Sequence, residues 1–350
     1  MSAFHSLTIK EITRETPHAI SVVFEVPEQL QPDYRFIAGQ YLNLKFIIDG
    51  KEIRRAYSIS SSPNNQELRV AIKAVQNGVV STYANEKMKV GDKMEVGTPE
   101  GRFTFEPKAD NQKNYAAFAA GSGITPVMSI LHSVLENEPQ STFVLIYGNK
   151  SPEETIFYKH LHELQLKYVG RLFVHYVFSQ TNTIDAHFGR IDKSIVNYVL
   201  NNKHAEKDFD KFYLCGPEEM ISTVSNVLKE HNIPEKDIKF ELFSTTPNET
   251  KAENTLGGHT KISVLVDDEE FEFEMAQKQT ILEAALKQGI DAPYSCQGGI
   301  CSSCIARVTK GSADMKKNSI LTDKEIAQGL ILTCQAHPTS AEIAVDFDDV

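Results

Sequence analysis

The last 55 residues contain four of the five cysteines in the chain, at a spacing that suits metal ligation. Three follow the pattern Cys-x4-Cys-x2-Cys, and the fourth comes after 29 intervening residues, so that three ligands share a loop and the fold brings in the last. Such a set of thiolates holds a [2Fe–2S] cluster, which carries one electron at a time. The predicted ligands are Cys296, Cys301, Cys304 and Cys334.

A zinc site is the alternative for this set, because Cys-x2-Cys is also half of many zinc sites. Zinc sites usually combine two Cys-x2-Cys motifs, whereas Cys334 has no second cysteine near it in the sequence. Gly298 and Gly299, between the first two ligands, let the backbone wrap closely and turn N–H groups toward the sulfurs. The spacing and the glycines together favour the cluster. The odd number of cysteines and their uneven distribution argue against a disulfide framework.

Length and charge narrow the class of protein. A chain of 350 residues suits two or three domains, and the net charge of −11 disfavours nucleic acid as a partner. From His259 onward 15 acidic residues stand against 8 basic ones, a net of −7. That acidic surface either steers this part of the chain toward a basic partner or only keeps it soluble. With no secretory signal and no membrane-length apolar run, we expect a cytoplasmic protein without membrane contact.

The pattern of strands and turns predicts a multidomain chain. Residues 1–108 alternate short apolar strands with turns, which predicts an antiparallel β-barrel. Residues 109–245 follow the pattern strand, glycine turn, helix, strand, which predicts an α/β domain with a parallel sheet. One of its helices is expected from Glu153 to Leu166. Residues 246–260 are polar and read as a linker. Residues 261–350 suggest a β-grasp fold around the metal loop.

The loop from Pro293 to Cys304, together with Leu332 to Gln335, resembles plant-type [2Fe–2S] ferredoxin domains, in particular those fused at the C-terminus of oxygenase reductases. A nicotinamide donates two electrons as hydride and cannot feed a one-electron cluster directly. A flavin between the two is therefore expected. The cofactors implied are FAD, the [2Fe–2S] cluster, and NADPH or NADH.

The predicted barrel carries two motifs for the flavin. Arg55-Ala56-Tyr57-Ser58 resembles the Arg-x-Tyr-Ser motif of the ferredoxin–NADP reductase superfamily. By that resemblance Arg55 pairs with the flavin pyrophosphate, Tyr57 stacks on the flavin, and Ser58 approaches its reactive nitrogen as a catalytic residue. A strand and helix start further on match the family's phosphate-binding segment, where backbone N–H groups and a hydroxyl suit an anion. The residues expected to bind there are Val70, Ile72, Lys73, Gly78, Val80, Ser81 and Thr82.

The α/β domain carries matching nicotinamide motifs. Gly121-Ser122-Gly123-Ile124-Thr125-Pro126 follows a strand, where glycine lets a phosphate approach the backbone, although an ordinary turn also uses glycine. By resemblance Cys215 lies beside the nicotinamide where hydride leaves, with a buried structural thiol as the alternative. An aromatic or acidic group near the flavin is expected within Glu241-Leu242-Phe243. The residues expected to contact cofactor are Gly121, Gly123, Thr125, Pro126, Gly148, Asn149, Ser179, Arg190, Cys215, Gly216, Pro217 and Phe243.

The choice between NADH and NADPH stays open in the sequence. NADP-preferring members carry Ser-Arg after the third strand, where this chain has Ser179-Gln180. The family's Tyr-Gly-Asn-Arg ends here in Lys150, which keeps the charge but gives up bidentate pairing. Arg190 would compensate if it folds toward the adenosine.

The order of the three modules resembles the reductase components of multicomponent oxygenases. Gly189-Arg190-Ile191-Asp192 and the Tyr-Ser-Cys-Gln-Gly-Gly loop favour the subfamily of phenylacetyl-CoA epoxidase reductase subunits, and phthalate-type reductases share the modules. The resemblance implies electron flow from NAD(P)H through FAD and the cluster to a separate oxygenase protein. The alternatives are another ring-hydroxylating or monooxygenase system, a stand-alone oxidoreductase acting on a small acceptor or quinone, and a binding module with vestigial sites.

Overall fold

The computed structural model describes residues 3–65, 67–244 and 257–350. It divides into two compact units, one formed by Phe4–Ser244 and the other holding the C-terminal residues from 257 to 350. Within these ranges, no helix combines the length and apolar character needed to cross a membrane.

The N-terminal half of the first unit is an antiparallel barrel, as the sequence predicts. Its sheet has the order β4-β3-β6-β1-β2-β5. Ile59, directly after β4, pairs with Val70 of β5 and so joins the two end strands. Alternate side chains of β5, including Val70 and Ile72, point into the barrel core. The elements are β1 (Phe4–Thr16), β2 (Ala19–Glu25), β3 (Tyr41–Ile48), β4 (Lys51–Ser58), β5 (Leu68–Lys73), α1 (Val79–Lys87) and β6 (Lys93–Gly97).

The second half of this unit is a parallel sheet with the order β10-β9-β8-β7-β11-β12. Strands β8, β9 and β10 follow one another on one side of β7, and the chain then crosses to the other side of β7 to form β11 and β12. A crevice therefore opens at the carboxyl ends of β7 and β11, where α/β folds bind ligands. The elements are β7 (Asn114–Ala120), α2 (Ile124–Asn137), β8 (Thr142–Asn149), α3 (Tyr158–Lys167), β9 (Leu172–Phe178), β10 (Ala186–Phe188), α4 (Lys193–Tyr198), β11 (Lys211–Pro217), α5 (Glu218–Glu230) and β12 (Ile238–Ser244).

The predicted start of the helix from Glu153 to Leu166 is wrong. A short 3₁₀ turn covers Pro152–Glu154, and α3 begins only at Tyr158. Phe157 interrupts the two because its φ is +61°, a left-handed conformation that a continuous right-handed helix cannot contain.

The C-terminal unit is a mixed sheet with the order β14-β13-β19-β15-β17, and β16 and β18 form a separate pair. Helix α6 buries its apolar side in the core of this unit, which confirms the predicted β-grasp fold. Most of the predicted linker, up to residue 256, lies outside the described residues, and its last positions begin β13. The elements are β13 (His259–Val266), β14 (Glu269–Ala276), α6 (Ile281–Lys287), β15 (Ile305–Lys310), β16 (Ala313–Met315), α7 (Asp323–Ala327), β17 (Leu330–Leu332), β18 (Ala336–Pro338) and β19 (Glu342–Asp346).

The barrel and the parallel-sheet domain share a core, and so form one unit rather than two. Phe103 meets the ring of Tyr213 edge-on with centroids 5.7 Å apart, and Phe105 meets Tyr115 in the same way at 5.3 Å. These rings belong to the connecting segment and to β11 and β7. The predicted boundaries at residues 108, 245 and 260 stay predictions.

Glu138, at the end of α2, ties the connecting segment to the parallel sheet. Its side chain is fully buried and accepts four hydrogen bonds. Oε1 accepts from Lys108 N at 2.9 Å and Asn111 Nδ2 at 2.7 Å, and Oε2 accepts from Tyr115 Oη at 2.9 Å and Ser141 Oγ at 2.8 Å. A buried carboxylate with this many donors holds the segment in one conformation.

We expect Glu138→Ala to destabilise the first unit by about 3 kcal/mol or more, because several buried donors would lose their acceptor at once. Urea denaturation followed by the fluorescence of released flavin would measure the change. Glu106→Ala, at an exposed position on the same segment, is the matched control and should change stability by less than about 0.5 kcal/mol. Equal effects of the two substitutions would show that Glu138 does not hold the segment.

Candidate functional site

The predicted flavin motif lies at the end of β4. Arg55 is exposed, Tyr57 is half-buried, and Ser58 is buried. The guanidinium of Arg55 donates to the backbone carbonyl of Arg54 at 2.7 Å. Burial raises the pKa of Tyr57, and the positive charge of Arg55 partly offsets that rise, which shows that the two side chains are neighbours. An exposed guanidinium beside a half-buried aromatic ring suits a phosphate-bearing ring cofactor.

The predicted residues on β5 divide into two groups. Val70 and Ile72 are fully buried in the barrel core, so that only their backbone could contact a cofactor. Lys73 is instead half-buried at the join between the domains. Its Nζ is 3.6 Å from the position that a Cβ on Gly121 would occupy, next to the glycine turn of the nucleotide motif. Burial lowers the pKa of Lys73, and the charge of Glu154 opposes that effect.

The start of α1 is shaped by Gly78 and Ser81. A side chain at Gly78 would collide with Ser81 Oγ and with the side chain of Val75. Ser81 Oγ accepts from Val75 N at 3.1 Å, and Thr82 N donates to Gly78 O at 2.9 Å. The hydroxyl of Ser81 therefore already serves the turn, and its phosphate contact stays a prediction. Val80 is buried.

The glycine turn after β7 is packed against the end of β11. A Cβ on Gly123 would collide with the backbone carbonyl of Cys215. Gly121 has a φ of +54°, and its carbonyl accepts from Tyr147 Oη at 2.9 Å. Thr125 and Pro126 are buried in the first turns of α2. The turn leaves backbone rather than side chains along the crevice, as a phosphate needs.

Asn149, at the carboxyl end of β8, carries two buried polar atoms that fit a bound polar ligand. Neither its Nδ2 nor its Oδ1 makes a well-formed hydrogen bond among the described residues, although the Asn149 side chain lies close enough to the Tyr147 hydroxyl to lower the pKa of Tyr147. Its backbone carbonyl accepts from Ser179 N at 3.0 Å, which brings the predicted Ser179 to the same strand end. Gly148 lies directly before it and faces Ile191. An unpaired buried amide is costly unless a ligand or water completes it.

Ser58, Cys215 and Glu241 converge where the barrel meets the parallel sheet. Ser58 Oγ donates to Glu241 Oε2 at 3.4 Å, and Cys215 pairs in register with Glu241 across β11 and β12. Burial raises the pKa of Cys215 well above the ordinary thiol value, and the charge of Glu241 adds to this. Burial also raises the pKa of Glu241 to about 8, although the hydrogen bond from Ser58 opposes the rise. The carboxyl therefore holds a proton at neutral pH.

The remaining predicted nicotinamide residues are Gly216, Pro217, Phe243 and Arg190. A Cβ on Gly216 would lie 2.9 Å from Met220 Cε, a close contact that the flexible methionine side chain can relieve by moving. Pro217 is exposed just before α5. Phe243 packs partly buried against the core. Arg190 is exposed, and its Nη1 is 3.9 Å from Glu219 Oε2.

The four C-terminal cysteines come together as two pairs. Cys296 and Cys301 are close enough to shift each other's pKa, and so are Cys304 and Cys334. The pairing lowers the pKa of Cys296 and raises that of Cys301, and likewise lowers that of Cys334 and raises that of Cys304. In the part of the chain that the structure describes, no three His, Cys, Asp or Glu side chains form a group for a single metal ion. Two pairs of cysteines suit two irons better than one zinc ion.

The local fold explains how Cys334 reaches the loop. Strands β15 and β17 pair antiparallel with Ile305 opposite Leu332, which places the preceding Cys304 near the following Cys334. Thr333 donates to the carbonyl of Cys304 through both its backbone N, at 3.0 Å, and its hydroxyl, at 2.9 Å.

Polar groups that suit an anionic cluster surround the sulfurs. Gly298 N donates to Cys296 Sγ at 3.3 Å, as the two glycines predict. The backbone N–H of Gly299 also lowers the pKa of Cys334, after the larger effect of Cys304. Ser295 Oγ is buried with no partner in the described ranges, so a cluster sulfide would give it an acceptor. Ser295 was missed by the sequence reasoning; its place directly before Cys296 was the available signal.

Family models match all three domains. An oxidoreductase FAD-binding domain matches residues 6–105, an oxidoreductase NAD-binding domain matches residues 118–226, and a 2Fe-2S iron–sulfur cluster binding domain matches residues 264–339. The fold and the sites define an NAD(P)H-dependent oxidoreductase that uses FAD and a [2Fe–2S] cluster.

Relatives that match the whole chain identify a narrower group within this class of oxidoreductases. One subunit of the 1,2-phenylacetyl-CoA epoxidase from Escherichia coli K12 is 39% identical over 360 aligned positions, covering 99% of both chains. The ferredoxin reductase component of 3-ketosteroid-9-alpha-monooxygenase from Rhodococcus rhodochrous is 31% identical, covering 97% of this chain and 96% of the relative. The solved structure of phthalate dioxygenase reductase has a TM-score of 0.61 at 25% identity, covering 99% and 98% of the two chains. This chain belongs to the family of oxygenase reductase components that join FAD-binding, NAD-binding and [2Fe–2S] domains.

The structure brings together Ser58, Cys215 and the glycine turn, and it adds Glu241 as a member of the same cleft. Glu241 lies within a segment that the sequence marks only as a region for an aromatic or acidic group, and Phe243 was the residue expected to bind. Because strands β4 and β12 belong to different domains, nothing in their sequences shows that Ser58 and Glu241 meet.

We expect the rate of flavin reduction by NAD(P)H to fall about tenfold from pH 7 to pH 9, as a group of pKa about 8 loses its proton and places a negative charge in the cleft. Glu241→Gln keeps the side chain neutral and should remove this fall. Anaerobic stopped-flow measurement of flavin bleaching gives the rate. Glu235→Gln, an exposed position just before β12, should keep the wild-type pH profile. An unchanged profile in Glu241→Gln would contradict the assignment.

Proposed function

We propose that this chain supplies electrons to an oxygenase of the phenylacetyl-CoA epoxidase type. The observation that carries the proposal is the 39% identity to the Escherichia coli epoxidase protein, which extends over 99% of both chains and so includes all three domains and their order. The 3-ketosteroid monooxygenase relative is likewise a reductase component, which implies that its oxygenase is a separate protein.

The residues of each site support this function. When bound, the flavin accepts hydride from the nicotinamide and releases electrons singly, which the cluster then carries. Arg55 and Tyr57 are proposed to hold the flavin, and the Gly121–Gly123 turn and Asn149 to hold the nicotinamide nucleotide. Ser58 and Cys215 are buried in this cleft, and burial of the Glu241 carboxyl group raises its pKa to about 8, so that it is neutral at pH 7.

The cluster is proposed as the outlet to the partner protein. The acidic excess of the C-terminal unit, net −7 from His259 onward, would favour a basic docking surface on the oxygenase. A stand-alone oxidoreductase acting on a quinone or small acceptor remains the second candidate, because the flavin cleft alone could serve it. The cytoplasmic location expected from the sequence stays a prediction.

Reconstitution tests the proposal. The holo-protein, NADPH or NADH, and purified oxygenase subunits of a phenylacetyl-CoA epoxidase should together consume phenylacetyl-CoA. Cys301→Ser should abolish this and also cytochrome c reduction, while reduction of a dye that accepts from flavin is retained, because the cluster loses a ligand. Ser302→Ala, the neighbouring non-ligand, is the control and should keep both activities. Phenylacetyl-CoA turnover that survives Cys301→Ser would place the outlet at the flavin, and absent turnover with intact cytochrome c reduction would point to a different acceptor.

We also propose that Arg190 contacts the 2′-phosphate of NADPH. Arg190→Ala should raise the KM for NADPH roughly fivefold or more and leave that for NADH nearly unchanged, because only NADPH presents the extra anion. Glu219→Gln should lower the KM for NADPH, since it removes the carboxylate 3.9 Å from Arg190. Lys193→Ala is the control, because Lys193 is an exposed cation already paired with Glu230 at 2.6 Å. Steady-state kinetics with NADPH and with NADH measure these KM values. Equal changes in the KM for the two nucleotides would refute the assignment of Arg190.

A further inference from the structure

Two histidines face each other between helices α2 and α3, away from the residues assigned to the cofactors. His132 Nε2 lies 3.2 Å from His160 Nε2. The ring centroids are 5.3 Å apart, farther than the two nitrogens, so the rings meet through their Nε2 edges rather than face to face. The side chain of His132 is 12% exposed and that of His160 is 46% exposed, which leaves one side of the pair open to solvent.

Each ring has a carboxylate near its other nitrogen. Glu136 Oε1 is 3.2 Å from His132 Nδ1, and Glu163 Oε2 is 3.7 Å from His160 Nδ1. A carboxylate only accepts, so Glu136 favours the tautomer of His132 with the proton on Nδ1 and a lone pair on Nε2. Glu163 lies beyond hydrogen-bond distance of His160 in this structure and adds its negative charge beside that ring. The lone pair of His132 Nε2 then faces His160 Nε2, where either a proton on His160 or a metal ion between the nitrogens satisfies it.

A tetrahedral metal ion satisfies this geometry. Two nitrogens 3.2 Å apart, each at the usual zinc distance of about 2.0–2.1 Å, subtend roughly 100° at the metal, close to the tetrahedral angle. Metal-ligating histidines commonly carry a carboxylate on the other nitrogen, which orients the ring and strengthens it as a ligand. Imidazole suits zinc, nickel and copper.

We propose that His132 and His160 bind one divalent transition-metal ion, of which Zn²⁺ is the biologically common case, with Glu136 orienting the ring of His132 and Glu163 adding negative charge beside that of His160. No group of three His, Cys, Asp or Glu ligands forms within residues 3–65, 67–244 and 257–350. Water completes the coordination on the open side. The site therefore binds a hydrated ion with two protein ligands.

A second histidine pair in the same domain differs from the His132 and His160 pair in its geometry. His175 Nε2 and His204 Nε2 are 2.8 Å apart, the separation of a direct hydrogen bond. The carboxylate of Glu206 is 4.0 Å from His204 Nδ1, too far to orient that ring by a hydrogen bond. Both pairs are within hydrogen-bond distance, and the His132 and His160 pair differs in its wider separation and in Glu136, which lies 3.2 Å from His132 Nδ1 and orients that ring.

The metal would link three elements of the first unit. His132 lies on α2 and His160 on α3. Glu136 also accepts from Ser62 Oγ and from Asn64 Nδ2, the latter at 3.0 Å, and both belong to the barrel. A bound ion thus reinforces the contact between the barrel and the nucleotide domain, and it stabilises the folded state by mass action.

Zinc titration of the holo-protein tests the site. The protein is first dialysed against a chelator under conditions that leave its flavin and cluster absorbance unchanged, and Zn²⁺ binding is then measured by calorimetry. We expect one ion per chain and a rise in melting temperature with added zinc. His160→Asn should weaken binding at least tenfold, and Glu136→Gln about tenfold, the lower end of the usual effect of an orienting carboxylate.

His18→Asn is the matched control, because His18 Nε2 also faces a carboxylate, Glu154 at 3.6 Å, but in this structure it makes no hydrogen bond with another histidine among the described residues. Zinc affinity should be unchanged there. Zinc X-ray absorption should show imidazole and oxygen ligands without sulfur. Equal zinc affinity in the wild type, His160→Asn and Glu136→Gln would overturn the proposal and leave the pair sharing a proton. Sulfur ligands would overturn it too, since the ion would then occupy the cluster cysteines.

Discussion

The close approach of the glycine turn to the end of β11 is the constraint on which the first unit depends. Gly123 lies so near the carbonyl of Cys215 that no side chain fits between them. This contact sets the width of the crevice at the point where the strand order reverses. It also places Cys215 at the edge of that crevice, next to the backbone groups that suit a phosphate. A larger residue at position 123 would push β7 and β11 apart and displace every group that the crevice aligns.

The second requirement is that the barrel and the parallel sheet meet as one body. Aromatic rings of the connecting segment pack into the core of the sheet, and the Glu138 carboxyl group accepts hydrogen bonds from that segment. Ser58 can then reach Glu241 across the join. Because the cleft is assembled from both domains, the electrostatics of Glu241 depend on their contact. Burial there keeps a carboxyl neutral at a pH where an exposed one would be ionised.

The C-terminal unit matches a [2Fe–2S] cluster binding domain, and its four cysteines are the predicted ligands. Its sheet brings Cys334 near Cys304, and Gly298 N donates to Cys296 Sγ at 3.3 Å. The negative charge concentrated in this unit gives it a surface unlike that of the flavin-binding unit. A surface of this charge would speed the encounter with a basic partner protein, because complementary charge raises association rates.

Local patterns in the sequence were enough for the three fold classes, the iron–sulfur domain and the turn after β7, because strand alternation, cysteine spacing and turn glycines depend on near neighbours along the chain. They were not enough for the start of α3, where one left-handed residue, Phe157, breaks the expected helix. Contacts between distant residues were decided only by the tertiary structure. The meeting of Ser58 with Glu241 and of His132 with His160 joins residues 183 and 28 positions apart, on separate elements whose packing no local pattern records.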